Sequence, residues 1–390
     1  MPEKKQKVLI VHNYYQIPGG EDTVVENEKK LLEEHGHEVV LYTRHNSELR
    51  TMSKLQKLLL PFSTIFNVRT YRDVKELITK QNIDVLHVHN TLNLISPSVY
   101  YAGFSKKIPV VQTIHNFRLL CPGATFYRDG HICEDCVEKG LFCAVKHKCY
   151  RESRVQTLAC VISTLIHRAL GTYGKLNYIC LTEFNKEKLL SLKQIKEKNV
   201  YVKPNFVDVP NENKINHDRK KQIVFAGRLD KLKGVEFLLK SWAELEDQEL
   251  KLILCGTGPM EDWCKNYIRE HQLKSIEMKG HVSNRDVKEL LSESMALILP
   301  TQWYEGFPMT ILEAFSVGTP VLGSKIGNVG KLIKDQINGK HFLPTEKEEL
   351  LDAVQKLNVD YEAVFRYFNK NYSAESNYEL LEDIYTKISQ

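Results

Sequence analysis

The feature that most constrains the fold is an alternation of short apolar runs with amphipathic segments. The amphipathic segments include residues 23–35 and 187–192. Short apolar runs alternating with helical patterns predict buried strands in a parallel sheet that helices cover on both faces. In the first half of the chain the predicted strands are Val8–His12, Glu38–Tyr42, Asp84–His89, Val110–Ile114, Tyr178–Leu181 and Val200–Val202.

The alternation begins again after a polar stretch, residues 211–221, which read NENKINHDRKK. This stretch has turn formers and no periodic apolar face, so it predicts a linker. The strands predicted after it are Ile223–Ala226, Leu252–Cys255, Ile276–Gly280, Ala296–Leu299 and Pro320–Leu322. We therefore expect an α/β chain with two doubly wound domains, residues 1–205 and 206–370.

The C-terminal segment, residues 371–390, predicts one more helix that packs back toward the first domain. Its apolar residues recur at helical spacing and fall on one side. They are Tyr378, Leu381, Ile384 and Tyr385.

Composition is that of a globular chain, with 42% hydrophobic and 26% charged residues over 390 positions. A net charge of +5 does not argue for nucleic acid. The apolar stretch after Lys7 ends at Val11, which is too short for a signal-peptide core, and no run has the length of a membrane span. Nine cysteines, an odd number, fit a reducing compartment. We therefore expect a cytoplasmic protein.

Ligands of doubly wound domains bind beyond the carboxyl ends of the strands, so the loops there are the candidates for chemistry. The loop NYYQIPGGED contains Gly19 and Gly20, which allow close approach of the backbone to a ligand. A plain strand-to-helix turn would also use such glycines. The loop CGTGPMED lacks the third glycine of a dinucleotide fingerprint, which argues against NAD(P).

A second kind of loop, AGRLDKLKG, carries Arg228 and Lys233. A guanidinium and an ammonium at a strand's carboxyl end suit a diphosphate. A solvated basic loop is the alternative.

The stretch EGFPMTILEA places two carboxylates, Glu305 and Glu313, on either side of Pro308. Proline is accepted in a first helical turn and not in a helix interior, so the helix should begin around Pro308–Thr310. Glu305 then lies in the loop, Glu313 lies near the first turn, and the amides of residues 309–311 are available to an anion. Alternatively, Thr310 and Glu313 form a capping box worth ~1 kcal/mol, and Glu313 touches no ligand.

Taken in order, the motifs resemble glycosyltransferase family 4 from about Val8 to Tyr385. They are the GG loop, DVLHVHN, TIHN, VKPNF, Gly227-Arg228 with Lys233-Gly234, CGTGP, and EGFP followed by Glu313. The resemblance implies the GT-B fold, with two Rossmann-like domains that face each other across a cleft. It also implies a hexosyltransferase-type enzyme that moves a sugar from a nucleotide donor, with retention and without a catalytic metal.

The resemblance further implies a set of site residues. His115 would orient the donor sugar, although a lone strand-end histidine is otherwise a structural hydrogen-bonding residue. Glu305 would hold sugar hydroxyls and Glu313 the ribose, while Arg228 and Lys233 would neutralise the diphosphate. The further donor contacts would be Gly19, Gly20, His281, Val282, Gly306, Phe307, Pro308, Met309 and Thr310.

The partners that follow are a UDP- or GDP-sugar donor and a saccharide or polyprenyl-linked acceptor, for surface polysaccharide or glycolipid synthesis. No cofactor is required for catalysis, and no nucleic acid is expected. The alternatives are a GT-B-fold sugar-nucleotide epimerase and a non-catalytic sugar-nucleotide or metal-binding module.

The insert of residues 121–150 carries Cys133, Cys136, Cys143 and Cys149 in the pattern C-x2-C-x6-C-x5-C. Four thiolates with a close first pair suit tetrahedral zinc, with Cys121 and His147 as substitute ligands. The alternative is a set of reduced thiols without metal.

The segment SKLQKLLLPFSTIFNVRTYR, residues 53–72, mixes bases with large apolar residues. It predicts either a helix that rests on the inner surface of an anionic membrane or a core-packing helix with basic flanks.

Overall fold

The structure is a computed structural model that describes residues 5–16, 19–92, 94–209, 215–245, 247 and 249–390. The chain forms two compact units. The first takes in the described residues of Met1–Arg128, Cys133–Asn205 and Asn377–Gln390, and the second those of Asp129–Ile132 and Phe206–Ser376.

The first unit is built on a parallel sheet with the strand order β2-β1-β3-β4-β7-β8. The strands up to residue 205 are β1 (Lys7–Tyr14), β2 (Glu38–His45), β3 (Val85–Val88), β4 (Val110–Ile114), β5 (Tyr127–Arg128), β6 (His131–Ile132), β7 (Asn177–Cys180) and β8 (Val200–Val202). The helices are α1 (Gly20–Glu34), α2 (Glu48–Thr51), α3 (Lys54–Ile65), α4 (Val68–Gln81), α5 (Ser98–Lys106), α6 (Asp135–Glu138), α7 (Phe142–Lys146), α8 (Arg154–Ala169) and α9 (Glu183–Leu190), with 3-10 turns at Thr172–Lys175 and Glu197–Asn199.

The second unit is built on another parallel sheet, with the order β11-β10-β9-β12-β13-β14. Its strands are β9 (Lys220–Ala226), β10 (Lys251–Cys255), β11 (Ile276–Gly280), β12 (Ser294–Leu299), β13 (Val321–Ser324) and β14 (Gly339–Phe342). The helices after residue 205 are α10 (Val235–Trp242), α11 (Glu261–Glu270), α12 (Asn284–Ser292), α13 (Met309–Phe315), α14 (Gly327–Leu332), α15 (Lys347–Gln355), α16 (Tyr361–Tyr372) and α17 (Ala374–Ser389).

The predicted α/β class is confirmed, and the central strands are as apolar and as buried as their sequences indicate. Residues 85–88 and 110–114 are buried throughout, because strands inside a parallel sheet are covered on both faces. The prediction of a buried strand is wrong for β2, which lies at the sheet edge and is only partly covered.

Three further details differ from the sequence prediction. β9 begins at Lys220, inside the predicted linker, and residues 211–214 of that linker lie outside the described residues. β13 begins at Val321 rather than at Pro320, which has no amide hydrogen to donate to the sheet. The short β5–β6 hairpin and the edge strand β14 were not predicted, since they have too few apolar residues to stand out.

The C-terminal helix α17 packs its predicted apolar side into the first unit. Leu381, Ile384 and Tyr385 are buried in one cluster with Val8 and Ile10 of β1. The segment therefore completes one face of the first sheet. Among the described residues, no helix combines the length and the apolar character that crossing a bilayer requires.

Candidate active site

Two histidines follow neighbouring strands of the first sheet and contact each other. His89 comes directly after β3 and His115 directly after β4, and parallel strands end at the same sheet edge. A hydrogen bond of 2.9 Å joins Nδ1 of His89 to Nε2 of His115, and the rings stack with centroids 5.2 Å apart. His115 is therefore held by a partner that the sequence prediction did not assign.

Both rings are neutral near neutral pH. Burial, together with the neighbouring His87, lowers the pKa of His89 to about 3. Burial and the neighbouring His89 also hold the pKa of His115 well below its ordinary value. A neutral imidazole donates from one nitrogen and accepts at the other, so the shared hydrogen bond fixes complementary tautomers.

A buried carboxylate selects the tautomer of His89. Oε1 of Glu28 lies 3.4 Å from Nε2 of His89, and this negative charge favours a proton on that nitrogen. Nδ1 of His89 then accepts from Nε2–H of His115. In this tautomer, His115 can accept a hydrogen bond at its Nδ1 atom.

Glu28 is the centre of a buried polar network. Although burial opposes its ionisation, the charge of Lys203 and the hydrogen bond with His87 hold the pKa of Glu28 well below its ordinary value. Nζ of Lys203 lies 3.0 Å from Oε2 of Glu28 and also donates to Asn377 of α17. Tyr385 of the same helix bonds His87 at 2.7 Å.

The ligand atoms of Glu28, His87 and His89 lie within 4.8 Å of one another, which is close enough to hold a metal ion. Lys203 already supplies a positive charge to that carboxylate, and the other nitrogen of His87 bonds Thr113 at 2.7 Å. The carboxylate of Glu28 and the ring of His87 therefore already have protein partners.

A pocket of about 90 Å³ lies over His115. Its polar lining includes Asn116 and Arg118, which lie two and four residues after the end of β4. The guanidinium of Arg118 bonds the carbonyl of Pro122 at 3.0 Å and lies over the ring of Tyr150 at 5.1 Å. The sequence prediction did not include Arg118. Its position three residues after the strand-end histidine could have identified it.

The GG loop leads into α1, whose N-cap is Gly19. A side chain at Gly19 would have no neighbour within 4 Å among the described residues, so packing does not require glycine there. The residues after it are tied down. Asp22 bonds the amide of Gly19 at 3.0 Å and the ring of His12 at 2.7 Å. Ile17 and Pro18 of this loop lie outside the described residues.

Glu21 is a second buried acid of this loop. Its Oε1 atom is inaccessible to solvent, and Tyr15 donates a hydrogen bond of 3.0 Å to Oε2. Burial raises the pKa of Glu21 to about 8. The carboxyl is therefore mostly protonated at neutral pH.

In the second unit, Lys233 and Glu305 form a partly buried ion pair, with the carboxylate buried and the lysine half-buried. Nζ of Lys233 lies 2.7 and 2.8 Å from the two oxygens of Glu305. Thr301 and the indole of Trp303 also donate to Oε1 of Glu305, at 3.1 and 3.2 Å. The structure thus brings two predicted site residues together, with the carboxylate bonded to the lysine.

The position of Lys233 depends on the glycine that follows it. Gly234 has φ +73°, and a Cβ there would lie 1.8 Å from the carbonyl oxygen of Pro300 at the end of β12. The loop after β9 therefore approaches the loop after β12 more closely than any side chain allows.

Arg228 is placed differently from Lys233. It follows β9 by two residues and is two-thirds exposed, and Asp230 lies 3.4 Å from its guanidinium. Asp230 also accepts from the amide of Lys233 at 2.9 Å, which fixes the loop between the two bases.

The helix α13 begins at Met309 with Pro308 as its N-cap residue, as predicted. The capping-box interpretation is wrong, because Thr310 lies inside the helix and cannot be its cap. The prediction that the Ile311 amide is available to an anion is also wrong, since this amide donates to the Pro308 carbonyl at 3.1 Å. Burial raises the pKa of Glu313, with the charge of Lys288 opposing.

The remaining predicted donor contacts lie at the same ends of their strands. Gly306 and Phe307 precede α13, and Asn328 donates to the carbonyls of Glu305 and Gly306 at 2.6 Å. His281 and Val282 directly follow β11, where Gly280 accepts from the amide of Gly256 at 2.7 Å.

Four cysteines of the insert, Cys121, Cys136, Cys143 and Cys149, lie near one another. Burial and the neighbouring Cys121 and Cys149 raise the pKa of Cys136 to about 12, and Cys143 contributes as well. Among the described residues, no three cysteine sulfurs lie within 4.8 Å of one another.

Two family models match the chain. "Glycosyltransferase Family 4" matches residues 18–133, and "Glycosyl transferases group 1" matches residues 209–372. The two matches fall on the first and the second unit.

Curated relatives are distant. An uncharacterized glycosyltransferase of Methanocaldococcus jannaschii is 28% identical over 54% of this chain and 57% of its own length. The alpha-D-kanosaminyltransferase of Streptomyces kanamyceticus is 27% identical over 35% of this chain and 36% of its own length. The matches to these relatives thus span between about a third and somewhat over half of their length.

Solved structures share the fold over nearly the full length. A lipopolysaccharide outer core galactosyltransferase, WaaB, superimposes with a TM-score of 0.68 at 15% identity over 98% of this chain and 99% of that one. Anabaena Alr3699/HepE in complex with UDP and glucose superimposes with a TM-score of 0.63 at 15% identity, over 98% of this chain and 100% of that one. With its two parallel sheets and the matched motifs, the chain belongs to glycosyltransferase family 4 and has the GT-B fold.

Proposed function

We propose that the protein is a glycosyltransferase that moves a sugar from a nucleotide-sugar donor to a saccharide or lipid-linked saccharide acceptor. The observation that carries this proposal is the partly buried Lys233–Glu305 pair at the carboxyl end of the second sheet. A buried ion pair costs desolvation energy, so a pair in a strand-end loop favours a role for its charges in binding.

The donor is proposed to bind the second unit. Lys233 and the exposed Arg228 supply positive charge to the diphosphate, and the carboxylate of Glu305 keeps the lysine in place. Glu313 binds the ribose hydroxyls, since a carboxylate accepts from both hydroxyls of a diol. UDP and glucose in the solved Alr3699/HepE structure support a UDP-sugar as the first donor to test.

The remaining donor contacts are proposed as the resemblance implies. Backbone amides around Gly306–Thr310 and the loop at Gly19 and Gly20 approach the sugar and phosphates, and His281 and Val282 line the base pocket. Glu305 also reaches the donor sugar. A nucleotide then contacts loops of several strands, as ligands of doubly wound sheets do.

The proposed reaction retains the configuration of the sugar and needs no metal ion. The bond from the anomeric carbon to the diphosphate oxygen breaks, and the acceptor oxygen bonds to that carbon on the same face. The acceptor proton passes to the leaving diphosphate. Fixed positive charges stabilise the leaving group because they need no reorganisation during the reaction.

His115 is proposed to orient the sugar and to stabilise the charge that develops on it. It does so as a neutral ring, since burial keeps its pKa well below the ordinary value. The hydrogen bond with His89 fixes which nitrogen accepts.

The donor class is tested by thermal shift with UDP, GDP, ADP and their sugars. We expect stabilisation by one nucleotide and its sugar, with the shift lost in Lys233→Ala. Product analysis with and without acceptor separates a transferase from an epimerase, because an epimerase gives an epimeric sugar without acceptor and a transferase gives a glycoside only with one. No shift with any nucleotide would contradict the proposal.

For the cysteine-rich insert we propose structural zinc bound by Cys133, Cys136, Cys143 and Cys149, with Cys121 and His147 as substitute ligands. The closeness of Cys121, Cys143 and Cys149 to Cys136 supports a shared cysteine site. Less than a tenth of an equivalent of zinc per purified chain would remove this proposal.

We also propose a place in surface polysaccharide or glycolipid synthesis, in the cytoplasm and at its membrane face. A saccharide on a lipid carrier would be the acceptor. Transfer to a lipid-linked acceptor, compared with the same saccharide in solution, tests this assignment.

A further inference from the structure

Helix α3 presents large apolar side chains to solvent. Of its twelve residues, all described, only Thr64 is buried. Leu58 and Phe62 are each 70% exposed, and Leu55 is 66% exposed. A surface helix ordinarily turns its apolar stripe to the core, so α3 has the reverse orientation. The core-packing interpretation of residues 53–72 is therefore wrong for α3.

Helix α8 shows the same reversal. Val155 is 72% exposed, and Leu158 and Ile162, which follow at helical spacing, are exposed as well. The buried side of α8 carries mainly small and polar residues instead, namely Thr157, Cys160, Val161, Ser163, Thr164 and His167.

Polar atoms hold the two helices together. Ser163 donates to the carbonyl of Thr64 at 3.2 Å, and Nε2 of His167 bonds the carbonyl of Ile65 at 2.9 Å. With hydroxyls inside and leucines outside, the pair forms an apolar face on the first unit. A single exposed leucine is ordinary, whereas such a set marks an interaction surface.

The charge around this face is strongly positive. Residues 50–72 contain five Lys or Arg residues and no acid, and residues 146–168 contain five with one acid, Glu152. The whole chain is nearly balanced, with 54 basic and 49 acidic residues. Bases around an apolar face match an anionic lipid surface, where they meet head groups while leucines enter the acyl boundary.

The groove between the helices lies next to the pocket over His115. A cavity of about 430 Å³ is lined by Lys57 of α3 and Val155 of α8. It shares Thr64 and Cys160 with the His115 pocket, so the two cavities are neighbours.

Two arginines, one in each cavity, lie on the same tyrosine ring. Arg118 lines the His115 pocket and Arg151 lines the groove. Their guanidinium groups lie 5.1 and 5.3 Å from the centre of the Tyr150 ring. Positive charge is thus available to an anionic head group at the junction.

We propose that this α3–α8 face docks the protein on an anionic lipid bilayer, and that the acceptor is an amphiphile held in that bilayer. The acceptor assignment rests on the proposed glycosyltransferase function, whereas the membrane contact does not. An acceptor in the membrane reaches the His115 pocket beside the groove, with its anionic group near Arg118 and Arg151.

The test is sedimentation of the full chain with vesicles, without nucleotide. We expect binding to an equal mixture of phosphatidylcholine and phosphatidylglycerol and little binding to phosphatidylcholine alone. Leu58→Ser with Phe62→Ser should weaken binding by about tenfold or more. The matched control, Ile337→Ser with Leu343→Ser, removes exposed apolar side chains of the second unit and should bind as the parent does.

The role of charge is tested with a variant that carries Lys54→Gln and Lys57→Gln. Its control carries Lys251→Gln and Lys274→Gln. Each lysine near an anionic surface contributes about fivefold, so the first pair should lose roughly tenfold or more and the second almost nothing. Binding by the parent should fall as salt is raised.

Several results would overturn the proposal. One is no binding to the anionic vesicles at low salt, and another is an equal loss of binding in test and control variants. A third is a parent protein that is dimeric and binds no vesicles, and that Leu58→Ser with Phe62→Ser makes monomeric. Nucleotide thermal shifts, measured without vesicles, keep the two proposals apart. A normal shift in the Leu58→Ser, Phe62→Ser variant shows that it is folded and that its loss concerns the membrane alone.

Discussion

The Lys233–Glu305 pair allows a quantitative test of how the second unit holds its proposed diphosphate site. The change is Glu305→Gln, which removes the carboxylate charge and keeps the shape. The side chain of Glu305 is 8% exposed and that of Lys233 is 25% exposed. The amide oxygen of the new side chain can still accept from Thr301 and Trp303, so the substitution isolates the ion pair.

The expected cost follows from this geometry. Removing one partner of a fully buried pair costs about 3–5 kcal/mol. Because a quarter of Lys233 reaches water, we expect about 2–3 kcal/mol. That corresponds to a fall of about 4–12 °C in the melting temperature of a unit of this size.

The assay uses intrinsic fluorescence. The three tryptophans of the chain, Trp242, Trp263 and Trp303, all lie in the second unit, so their emission reports its unfolding. A double-mutant cycle with Lys233→Met should give a coupling energy of about 2 kcal/mol.

The control is Glu236→Gln, which removes the exposed partner of Lys240 on α10 and should leave the melting temperature unchanged. A coupling energy under about 0.5 kcal/mol for the Lys233–Glu305 cycle would refute the reasoning, because the two charges would then be independent.

Three other predictions concern single sites. Glu21→Gln should gain stability over the parent as pH rises from 5 to 8. Over this range the carboxyl ionises in the unfolded chain and keeps its proton in the folded one. The difference in unfolding free energy between variant and parent therefore grows by at most about 1.4 kcal/mol per pH unit. A pH-independent difference in urea unfolding would contradict this. His89→Ala should lower kcat about tenfold or more with donor affinity unchanged, and His89→Gln should restore part of it; equal losses in both variants would argue against positioning of His115. Gly234→Ala should cost about 3 kcal/mol or more by chemical unfolding, whereas Gly19→Ala should cost about 1 kcal/mol or less.

The strands and the start of α13 were predictable because their signals are local. Val110–Ile114 and Ile276–Gly280 match the structure at both ends, and Pro308 fixed the helix start. Apolar runs and proline act on the chain within a few residues, so one sequence suffices to locate them.

The partners within the site were not predictable in the same way. Lys233 and Glu305 are 72 residues apart, and Lys203 and Glu28 are 175 apart, so their contacts depend on the strand order of each sheet. The contact of His89 with His115 was within reach, because β3 and β4 are neighbours and each histidine follows its strand directly.

The reversed helices show a different limit of sequence reasoning. The apolar periodicity of α3 is the same whether its stripe faces a core or a membrane, so the pattern predicts a helix and leaves the covering surface open. What decides between the two is the neighbouring helix. Because α8 offers hydroxyls to its partner, the leucines of α3 are left outside.

The neutral histidine pair over the first sheet depends on the far end of the chain. Glu28 selects the tautomer of His89, and its charge is balanced inside the unit by Lys203. Asn377 of α17 bonds that lysine, and Tyr385 of α17 bonds His87. Without α17, Lys203 and His87 would each lose a buried partner, and water would enter beside Glu28. Since burial keeps the pKa of His89 and His115 low, we expect removal of α17 to raise both pKa values toward the ordinary one.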